Sequence, residues 1–219
     1  MVMTMKYQAV IFDLDGVICF TDKYHYLAWK KMADELGIYF DEVINNRLRG
    51  VSRRESLEII LEKYEKELSE EEKQALMEKK NKDYVELLSE MTEKDLSEEV
   101  KETLDGLRSA GLKLAIGSSS KNARLILERL GLADYFDAIS DGTNISKSKP
   151  DPEVFLKAAG FLHMDPKECL VVEDAKAGIL AAGRGGFDSA GLGEAATAAS
   201  VTYGLKSFGD LINIVKENG

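Results

Sequence analysis

The fold of this chain is decided by one short stretch, Ala9-Val10-Ile11-Phe12-Asp13-Leu14-Asp15-Gly16-Val17. Its first four residues are apolar and predict a buried β-strand, and two carboxylates follow at the end of that strand. Extended backbone places residues two positions apart on one face of a sheet, so the side chains of Asp13 and Asp15 point the same way. Because Asp-Gly is also a common turn signal, the stretch by itself is equally typical of a strand followed by an acidic turn.

The same pair of carboxylates suits the transfer of a phosphoryl group. Open α/β sheets bind ligands at the carboxyl ends of their strands, where two carboxylates can converge on a cation and a phosphate. One carboxylate can attack phosphorus and become an aspartyl-phosphate. The other can carry the proton of the entering or leaving hydroxyl. Further segments of the chain must supply the remaining parts of such a site.

Strands and helices alternate along most of the chain. Apolar runs predict the strands, and helical periodicity, with glycine near several C-terminal ends, predicts the helices. The expected strands are 9–12, 112–116, 136–140 and 169–173, with weaker candidates at 187–192 and 200–203. The expected helices are 98–109, 121–130, 152–160, 175–183 and 207–217. This alternation predicts an α/β fold with a doubly wound parallel sheet, a Rossmann-like core.

The segment that follows the first strand breaks this alternation. Its apolar residues, such as Tyr24, Ala28 and Met32, recur at helical spacing, and it contains no convincing strand. The sequence therefore predicts two domains. Residues 1–20 and 96–219 form the Rossmann-like core, and residues 21–95 form a helical cap domain inserted into it.

Composition narrows the classes of partner. The 219 residues carry a formal net charge of −10, with 44% hydrophobic residues, and the isoelectric point is near 4.9. General nucleic-acid binding needs a basic surface, so no nucleic-acid partner is expected. A small anionic substrate remains compatible, because a few placed cations and a metal can outweigh the global charge locally.

The cysteines and the apolar runs indicate the cellular compartment in which the protein is expected. Cys19 and Cys169 are the two cysteines, and neither lies in a zinc or CxxC spacing. Cys169 sits in an apolar run, which predicts a buried, reduced thiol. No apolar run reaches the length of a membrane span, and the start of the chain lacks a signal-peptide pattern. We therefore expect a cytoplasmic protein with no membrane partner. We also expect the protein to be a monomer.

Two further segments combine a predicted strand end or loop with polar side chains. Ile116-Gly117-Ser118-Ser119-Ser120-Lys121-Asn122 ends the second strand and opens a helix, where a hydroxyl can bind a phosphoryl oxygen or simply cap the helix. In Ser146-Lys147-Ser148-Lys149-Pro150-Asp151-Pro152-Glu153, the Lys149 ammonium can neutralise a nucleophile and a phosphate, or can be plain surface charge.

The last such segment is Val171-Val172-Glu173-Asp174, an acidic pair at the end of the fourth strand. Placing carboxylates close together is electrostatically unfavourable unless a hard cation binds between them. Each of these segments is ambiguous when taken singly. All of them, however, fall where parallel strands end, and together they favour one shared site for phosphoryl transfer.

In this order, DLDG (13–16), SSSKN (118–122), SKPDPE (148–153) and VVEDA (171–175) resemble the four motifs of the haloacid-dehalogenase-like phosphotransferase superfamily. The resemblance covers essentially the whole chain, and the helical insertion resembles the small cap domain of that superfamily. It implies a magnesium-dependent phosphotransferase. Two departures are Phe20, where many relatives carry aspartate, and Glu98-Glu99, which replaces a common Pro-Gly.

A second group of residues narrows the resemblance to the phosphosugar mutases of the superfamily. These are Thr21, His25 and Trp29, then residues 49–57, then residues 80–84. The resemblance implies an isomerase that interconverts β-D-glucose 1-phosphate and glucose 6-phosphate. The reaction would pass through an aspartyl-phosphate, with a sugar 1,6-bisphosphate as intermediate and activator.

The resemblance also implies a role for each matching residue. Asp13 would be the phosphorylated nucleophile and Asp15 the general acid and base, while Ser118 and Lys149 would hold the transferring phosphate. Magnesium would be bound by Asp13, the backbone carbonyl of Asp15, and Asp174, with Glu173 beside it. The second phosphate would be held by Arg53, Ser120, Lys121 and Asn122, and His25 with Lys80 would sense cap closure. The remaining positions implied to bind substrate are Thr21, Trp29, Gly50, Ser56 and Ser119.

Three alternatives stay open. One is a cap-bearing sugar-phosphate phosphatase of the same superfamily, in which water accepts the phosphoryl group. Another is a mutase for a different sugar. The third is a signalling receiver that accepts a phosphoryl group on an aspartate, which is disfavoured because its acidic pair normally precedes the phosphorylated aspartate and it has no large cap. Trp29 is equally compatible with a core position as with a substrate wall.

Overall fold

The computed structural model describes residues 5–48 and 51–217, and the centre of its fold is a parallel sheet of six strands. The strands are β1 (Ala9–Phe12), β2 (Lys113–Gly117), β3 (Ala138–Ser140), β4 (Cys169–Glu173), β5 (Asp188–Gly191) and β6 (Tyr203–Gly204). Their order in the sheet is β3-β2-β1-β4-β5-β6. The predicted doubly wound α/β fold is confirmed, and both of the weaker strand candidates form short strands.

The helices are α1 (Asp22–Glu35), α2 (Glu42–Asn46), α3 (Arg53–Leu61), α4 (Glu70–Leu88), α5 (Glu98–Ser109), α6 (Ala123–Arg129), α7 (Glu153–Phe161), α8 (Lys176–Arg184) and α9 (Leu211–Glu217). The expected helix over 121–130 begins two residues later, because Lys121 and Asn122 form a turn. The expected helix over 207–217 is divided into a 3₁₀ turn, Phe208–Asp210, and α9.

The sheet is held by burial on both of its faces. All four residues of β1 are buried, as are all five of β4, as expected for a parallel sheet covered by helices. Ile11 and Val171 are paired in register and pack with Phe155 of α7 in one hydrophobic cluster. Cys169 belongs to the same cluster, and burial raises the pKa of its thiol to about 12. It is a free cysteine, as the sequence predicted.

The chain divides into two compact units, one made of residues 1–20 and 92–219 and the other of residues 21–91. The first unit contains the sheet and is called the sheet unit below. The second contains α1 to α4 and is called the helical unit. The second boundary differs from the predicted 95, because the 3₁₀ turn Glu93–Asp95 groups with the sheet unit.

The helical unit has its own apolar core and well-defined helix ends. Its core includes Trp29, Met32, Leu57 and Met77. Helices α3 and α4 each begin with a capping box. In it, a serine side chain accepts the backbone N–H of a glutamate three residues later, and the side chain of that glutamate accepts the backbone N–H of the serine. Such caps satisfy N–H groups that lack partners inside the helix, so the sequence defines where these helices begin.

The position of β1 in the sheet indicates where a ligand would bind to the sheet unit. β1 pairs with β2 on one side and with β4 on the other. The chain runs from β1 to β2 and β3 on one side and then crosses back to β4 on the other, so the strand order reverses at β1. In doubly wound sheets the crevice at such a reversal, outside the carboxyl ends of the strands, is where ligands bind. None of the helices in the described residues is both long and apolar enough to cross a membrane.

Candidate active site

The pairing of β1 with β4 brings Asp13 next to Glu173. Phe12 and Val172 are in register, and the Asp13 N–H donates to the Val172 carbonyl at 2.9 Å, one residue beyond the strand. Both carboxylates are buried, Asp13 with 8% of its surface exposed and Glu173 with 1%. Two acidic residues from distant parts of the sequence thus meet in a site with little water.

Lys149 joins these two carboxylates. Its ammonium donates to the Asp13 carboxylate and to Glu173 Oε1, the latter at 2.5 Å. It also lies 4.7 Å from the centre of the Phe155 ring. Burial acts to lower the pKa of Lys149, but the charges of Asp13 and Glu173 outweigh it and raise the pKa above its ordinary value. Lys149 is therefore a buried, permanent cation.

The charge balance at the Asp13 carboxyl remains unfavourable. Burial raises the pKa of Asp13 well above its usual range; Lys149 lowers it, and Glu173 and Asp174 raise it again. One lysine does not compensate three carboxylates of which two are buried, so the arrangement favours the arrival of a further cation.

Three carboxylates are placed where they can hold that cation. Asp13, Glu173 and Asp174 each offer one oxygen, and these oxygens lie within 4.8 Å of one another. Carboxylate oxygens are the ligands that magnesium prefers. The donor set therefore fits magnesium, as the sequence predicted, and the acidic cluster is the finding that supports it.

Glu173 is held by hydrogen bonds to both of its carboxylate oxygens. Its Oε2 accepts the backbone N–H groups of Asp174 at 3.0 Å and Ala175 at 2.9 Å, while its Oε1 accepts from Lys149. Both of its oxygens thus have partners within the protein. Glu173 orients Lys149 and the turn that carries Asp174, a contribution that the sequence did not reveal.

Gly16 allows the backbone to pass beside Asp174. Its φ is +87°, and a Cβ atom built on it would lie 2.1 Å from Asp174 Oδ2. A side chain is therefore excluded by the backbone conformation and by the carboxylate. The Gly16 N–H donates to the Cys19 carbonyl at 2.7 Å, which closes the turn that contains the half-buried Asp15. The Asp-Gly turn signal in the sequence marked the turn but not its closeness to Asp174.

The segment after β2 lines the same edge of the sheet. Ser118 is buried, its N–H donates to the Ser140 carbonyl at 3.0 Å, and its Oγ accepts the Ser120 N–H at 3.2 Å. Ser120 Oγ in turn accepts the Asn122 N–H at 3.2 Å. Among the described residues, Ser119 Oγ is buried without a hydrogen-bond partner, and Lys121 is exposed.

The predicted site residues of the helical unit form two groups. In the first, Lys80 Nζ lies 3.0 Å from His25 Nδ1 and within 5 Å of the ring centres of Trp29 (4.7 Å) and Tyr84 (4.6 Å). Burial, with the charges of Lys80 and Arg53, holds the pKa of His25 well below its usual value. His25 is therefore neutral near pH 7, and its Nδ1 accepts from the ammonium.

In the second group, Arg53 donates to Asn81 Oδ1 at 2.7 Å. Thr21 and Ser56 are buried within the helical unit. Trp29 is 3% exposed and belongs to the apolar core, which is the packing position that the sequence left open. Gly50 lies outside the described residues. Phe20, the departure from the family pattern, is 70% exposed.

Fold and site together define a class of protein. The sequence profile of the haloacid dehalogenase-like hydrolase family matches residues 10–192. The chain belongs to that family, which confirms the resemblance seen in its motifs.

The relatives of this chain within the family include β-phosphoglucomutases and a phosphatase. The chain is 44% identical over 189 residues to a β-phosphoglucomutase of Bacillus subtilis, covering 85% of this chain and 84% of the relative. The crystal structure of a β-phosphoglucomutase from Clostridium difficile matches it with a TM-score of 0.88 and 40% identity, covering 97% of this chain and 96% of the other. A phosphorylated carbohydrates phosphatase of Thermotoga maritima is 32% identical, covering 83% and 82%.

Proposed function

We propose that this protein is a phosphosugar mutase that interconverts β-D-glucose 1-phosphate and glucose 6-phosphate through an aspartyl-phosphate. The observation that carries the phosphoryl-transfer chemistry is the buried cluster of Asp13, Lys149, Glu173 and Asp174 at the ends of β1 and β4. The similarity to two β-phosphoglucomutases supports the choice of reaction. The cytoplasmic location and the monomeric state remain predictions from the sequence.

Asp13 would be the nucleophile. Its carboxylate stands at the end of a fully buried strand, and a backbone hydrogen bond to β4 fixes its position. Lys149 would cancel negative charge on the transferring group, since its ammonium already touches the attacking carboxylate. Ser118, buried at the end of β2, would donate its hydroxyl to a phosphoryl oxygen.

Asp13, Asp174 and the backbone carbonyl of Asp15 would hold magnesium, with Glu173 beside them. When bound, magnesium would supply positive charge that stabilises the phosphoryl oxygens in the transition state. Phospho-Asp13 would give its phosphoryl group to the 6-hydroxyl of β-glucose 1-phosphate, whose proton would pass to Asp15. The 1-phosphoryl group of the resulting 1,6-bisphosphate would then return to Asp13, leaving glucose 6-phosphate.

Asp15 would serve as general acid and base. Replacing Asp15 with Asn should lower turnover by about 10²–10⁴-fold, because the proton of the sugar hydroxyl then has no acceptor. Magnesium affinity should be retained, since the expected ligand at this position is the backbone carbonyl. Steady-state turnover and a magnesium titration of the same variant check both parts. A variant that lost magnesium binding but turned over bound substrate would reverse the assignment.

A phosphatase is the second candidate, favoured by the relative from Thermotoga maritima. The two functions differ in what accepts the phosphoryl group from Asp13: a sugar hydroxyl in a mutase, and water in a phosphatase. The deciding experiment incubates the protein with β-glucose 1-phosphate, magnesium and a trace of glucose 1,6-bisphosphate, and follows glucose 6-phosphate and inorganic phosphate separately. A mutase releases mainly glucose 6-phosphate. Release of phosphate as the main product would establish the phosphatase instead.

Arg53 would distinguish the two functions further, because a mutase must also bind the phosphate that is not transferred. Removing the guanidinium in Arg53→Ala forfeits a charge-assisted contact of about 1.5–3 kcal/mol, so mutase turnover should fall by about one to two orders of magnitude. Attack by water on phospho-Asp13 should persist. The measurement is the ratio of glucose 6-phosphate to inorganic phosphate released.

Arg54→Ala is the matched control for this variant. Arg54 is adjacent on α3, but its guanidinium forms ion pairs with Glu58 and Glu70 on the surface of the helical unit. Its removal should leave the product ratio unchanged. An unchanged ratio in Arg53→Ala as well would mean that Arg53 does not bind the second phosphate.

A further inference from the structure

The turn that follows β3 is built around a completely buried carboxylate. Asp141 has no exposed surface, and its Oδ1 accepts the Thr143 N–H at 2.9 Å and the Thr143 hydroxyl at 2.5 Å. Asn144 Oδ1 accepts the Asp141 N–H at 3.3 Å. Burying a carboxylate is costly, and the bonds within the turn involve only one of its two oxygens.

This turn packs closely against the backbone of the segment 118–122. The Gly142 N–H donates to the Ser120 carbonyl at 3.0 Å. A Cβ atom on Gly142 would lie 2.4 Å from the Ser119 carbonyl oxygen and 2.8 Å from the Lys121 nitrogen, so the two backbones meet at a distance that only glycine permits. A displacement of the turn would therefore displace the backbone of residues 119–121.

The second oxygen of Asp141 reaches the other side of the same segment. Asp141 Oδ2 lies 3.4 Å from Nε of Arg124, the second residue of α6, which begins directly after Asn122. The Arg124 side chain is 64% exposed, whereas Asp141 is buried. The carboxylate thus holds the turn through hydrogen bonds to Oδ1. Its Oδ2 has no hydrogen-bond partner among the described residues and is linked to the helix after the segment by the ion pair with Arg124.

We infer that Asp141, paired with Arg124, is a positioning residue for the segment Ser119–Asn122. This inference rests on the proposed function, in which that segment binds phosphate. Because Asp141 acts on the position of Ser120 and Lys121, its loss should weaken the binding of sugar phosphate. It should leave the phosphorylation of Asp13 by a small donor intact, since Asp13 is fixed by β4 and Lys149.

The test compares Asp141→Asn with Asp137→Asn. Asp137 flanks the opposite, amino-terminal end of β3, where it accepts from Arg108, Lys113 and the Leu114 N–H. Both substitutions remove one charge from an ion pair beside the same strand. Only Asp141 adjoins the phosphate segment, so Asp137→Asn measures the effect of a general loss of stability.

We expect Asp141→Asn to raise KM for glucose 1-phosphate about tenfold, a coupling within the range measured for residues in contact, with less than a twofold change in kcat. Phosphorylation of Asp13 by acetyl phosphate should keep its wild-type rate. Asp137→Asn should change Tm and leave KM unaltered. Arg124→Gln should raise KM by the same factor as Asp141→Asn, and the double variant should show one such factor rather than their product.

An unchanged KM in Asp141→Asn, or equal KM changes in Asp141→Asn and Asp137→Asn, would overturn the inference. So would a rise in KM in Arg124→Gln alone, which would mean that Arg124 contacts phosphate directly. If Asp141→Asn does not fold, Thr143→Val carries the test through the KM and acetyl phosphate readouts, because it removes the hydroxyl bonded to Asp141 Oδ1 from an exposed residue outside the phosphate segment. Failure of the proposed function is seen separately, as absent glucose 6-phosphate formation by the wild type. The same variants are then compared by calorimetric binding of glucose 6-phosphate.

Discussion

Replacing Asp13 with Asn is expected to abolish the phosphoenzyme and to reduce turnover to background. The amide cannot attack phosphorus, so the covalent step has no nucleophile. The fold should survive, because the substitution removes one of three clustered carboxylates and Lys149 keeps its contact with Glu173 at 2.5 Å. We therefore expect loss of activity without a large loss of stability.

Three measurements check this outcome. Acetyl phosphate labelling followed by intact mass shows whether a phosphoryl group is attached, and hydroxylamine sensitivity shows that it is an acyl phosphate. Thermal unfolding reports the fold. Asp15→Asn is the control, since it keeps the nucleophile and should still be labelled. Labelling of Asp13→Asn at the wild-type level would place the nucleophile elsewhere.

Replacing Lys149 with Met is expected to lower both stability and activity. Methionine is unbranched and only one atom shorter than lysine, but it leaves Asp13 and Glu173 buried without their shared cation. Removing one partner from a buried ion pair costs about 3–5 kcal/mol. Turnover should fall by about 10²–10³-fold, as when one stabilising donor is removed from a transition state.

Thermal unfolding and steady-state turnover measure these two losses. A chain of this size loses about 2–4 °C in Tm per kcal/mol, so a decrease of several degrees or more is expected. Magnesium should restore part of that loss, because a cation held by the three carboxylates replaces some of the missing charge.

Lys147→Met provides the control. Lys147 lies two residues earlier, and its pair with Asp151 at 3.6 Å is exposed. Exposed pairs contribute about 0–1 kcal/mol, so this variant should behave like the wild type. If Lys149→Met were as stable and active as Lys147→Met, the buried cation would have no role in the site.

Much of the fold was predictable because its signals are local. The runs at 9–12 and 169–173 are apolar without interruption, as strands buried on both faces must be, and both strands have the predicted bounds. The helix at 98–109 was predicted to the residue, since Ser97 caps it and Gly111 follows it. The start of α6 was misplaced, because Lys121 and Asn122 form a turn, next to side-chain to backbone bonds at Ser118 and Ser120.

The site was predictable in its residue types but not in its contacts. Strand ends in a parallel sheet lie at one edge, so Asp13, Ser118 and Glu173 could be expected near one another. Nothing local showed that Lys149 bonds to both Asp13 and Glu173, since these contacts span 136 and 24 residues of sequence. The burial of Trp29 in the helical core was likewise undecided, because an aromatic residue at helical spacing suits a core and a binding wall equally.

By itself, then, the sequence determined the parallel α/β architecture and the helical insertion, and it predicted a phosphoryl-transfer chemistry centred on Asp13. It could do so because the signals for these features, namely apolar runs, helix caps and nearby carboxylates, each lie within a few neighbouring residues. Only the tertiary structure decided that Glu173 is held by Lys149, that Gly16 makes room for Asp174, and that Asp141 reaches Arg124. These contacts join residues far apart in sequence, and they exist only once the sheet register has placed one strand end beside the next.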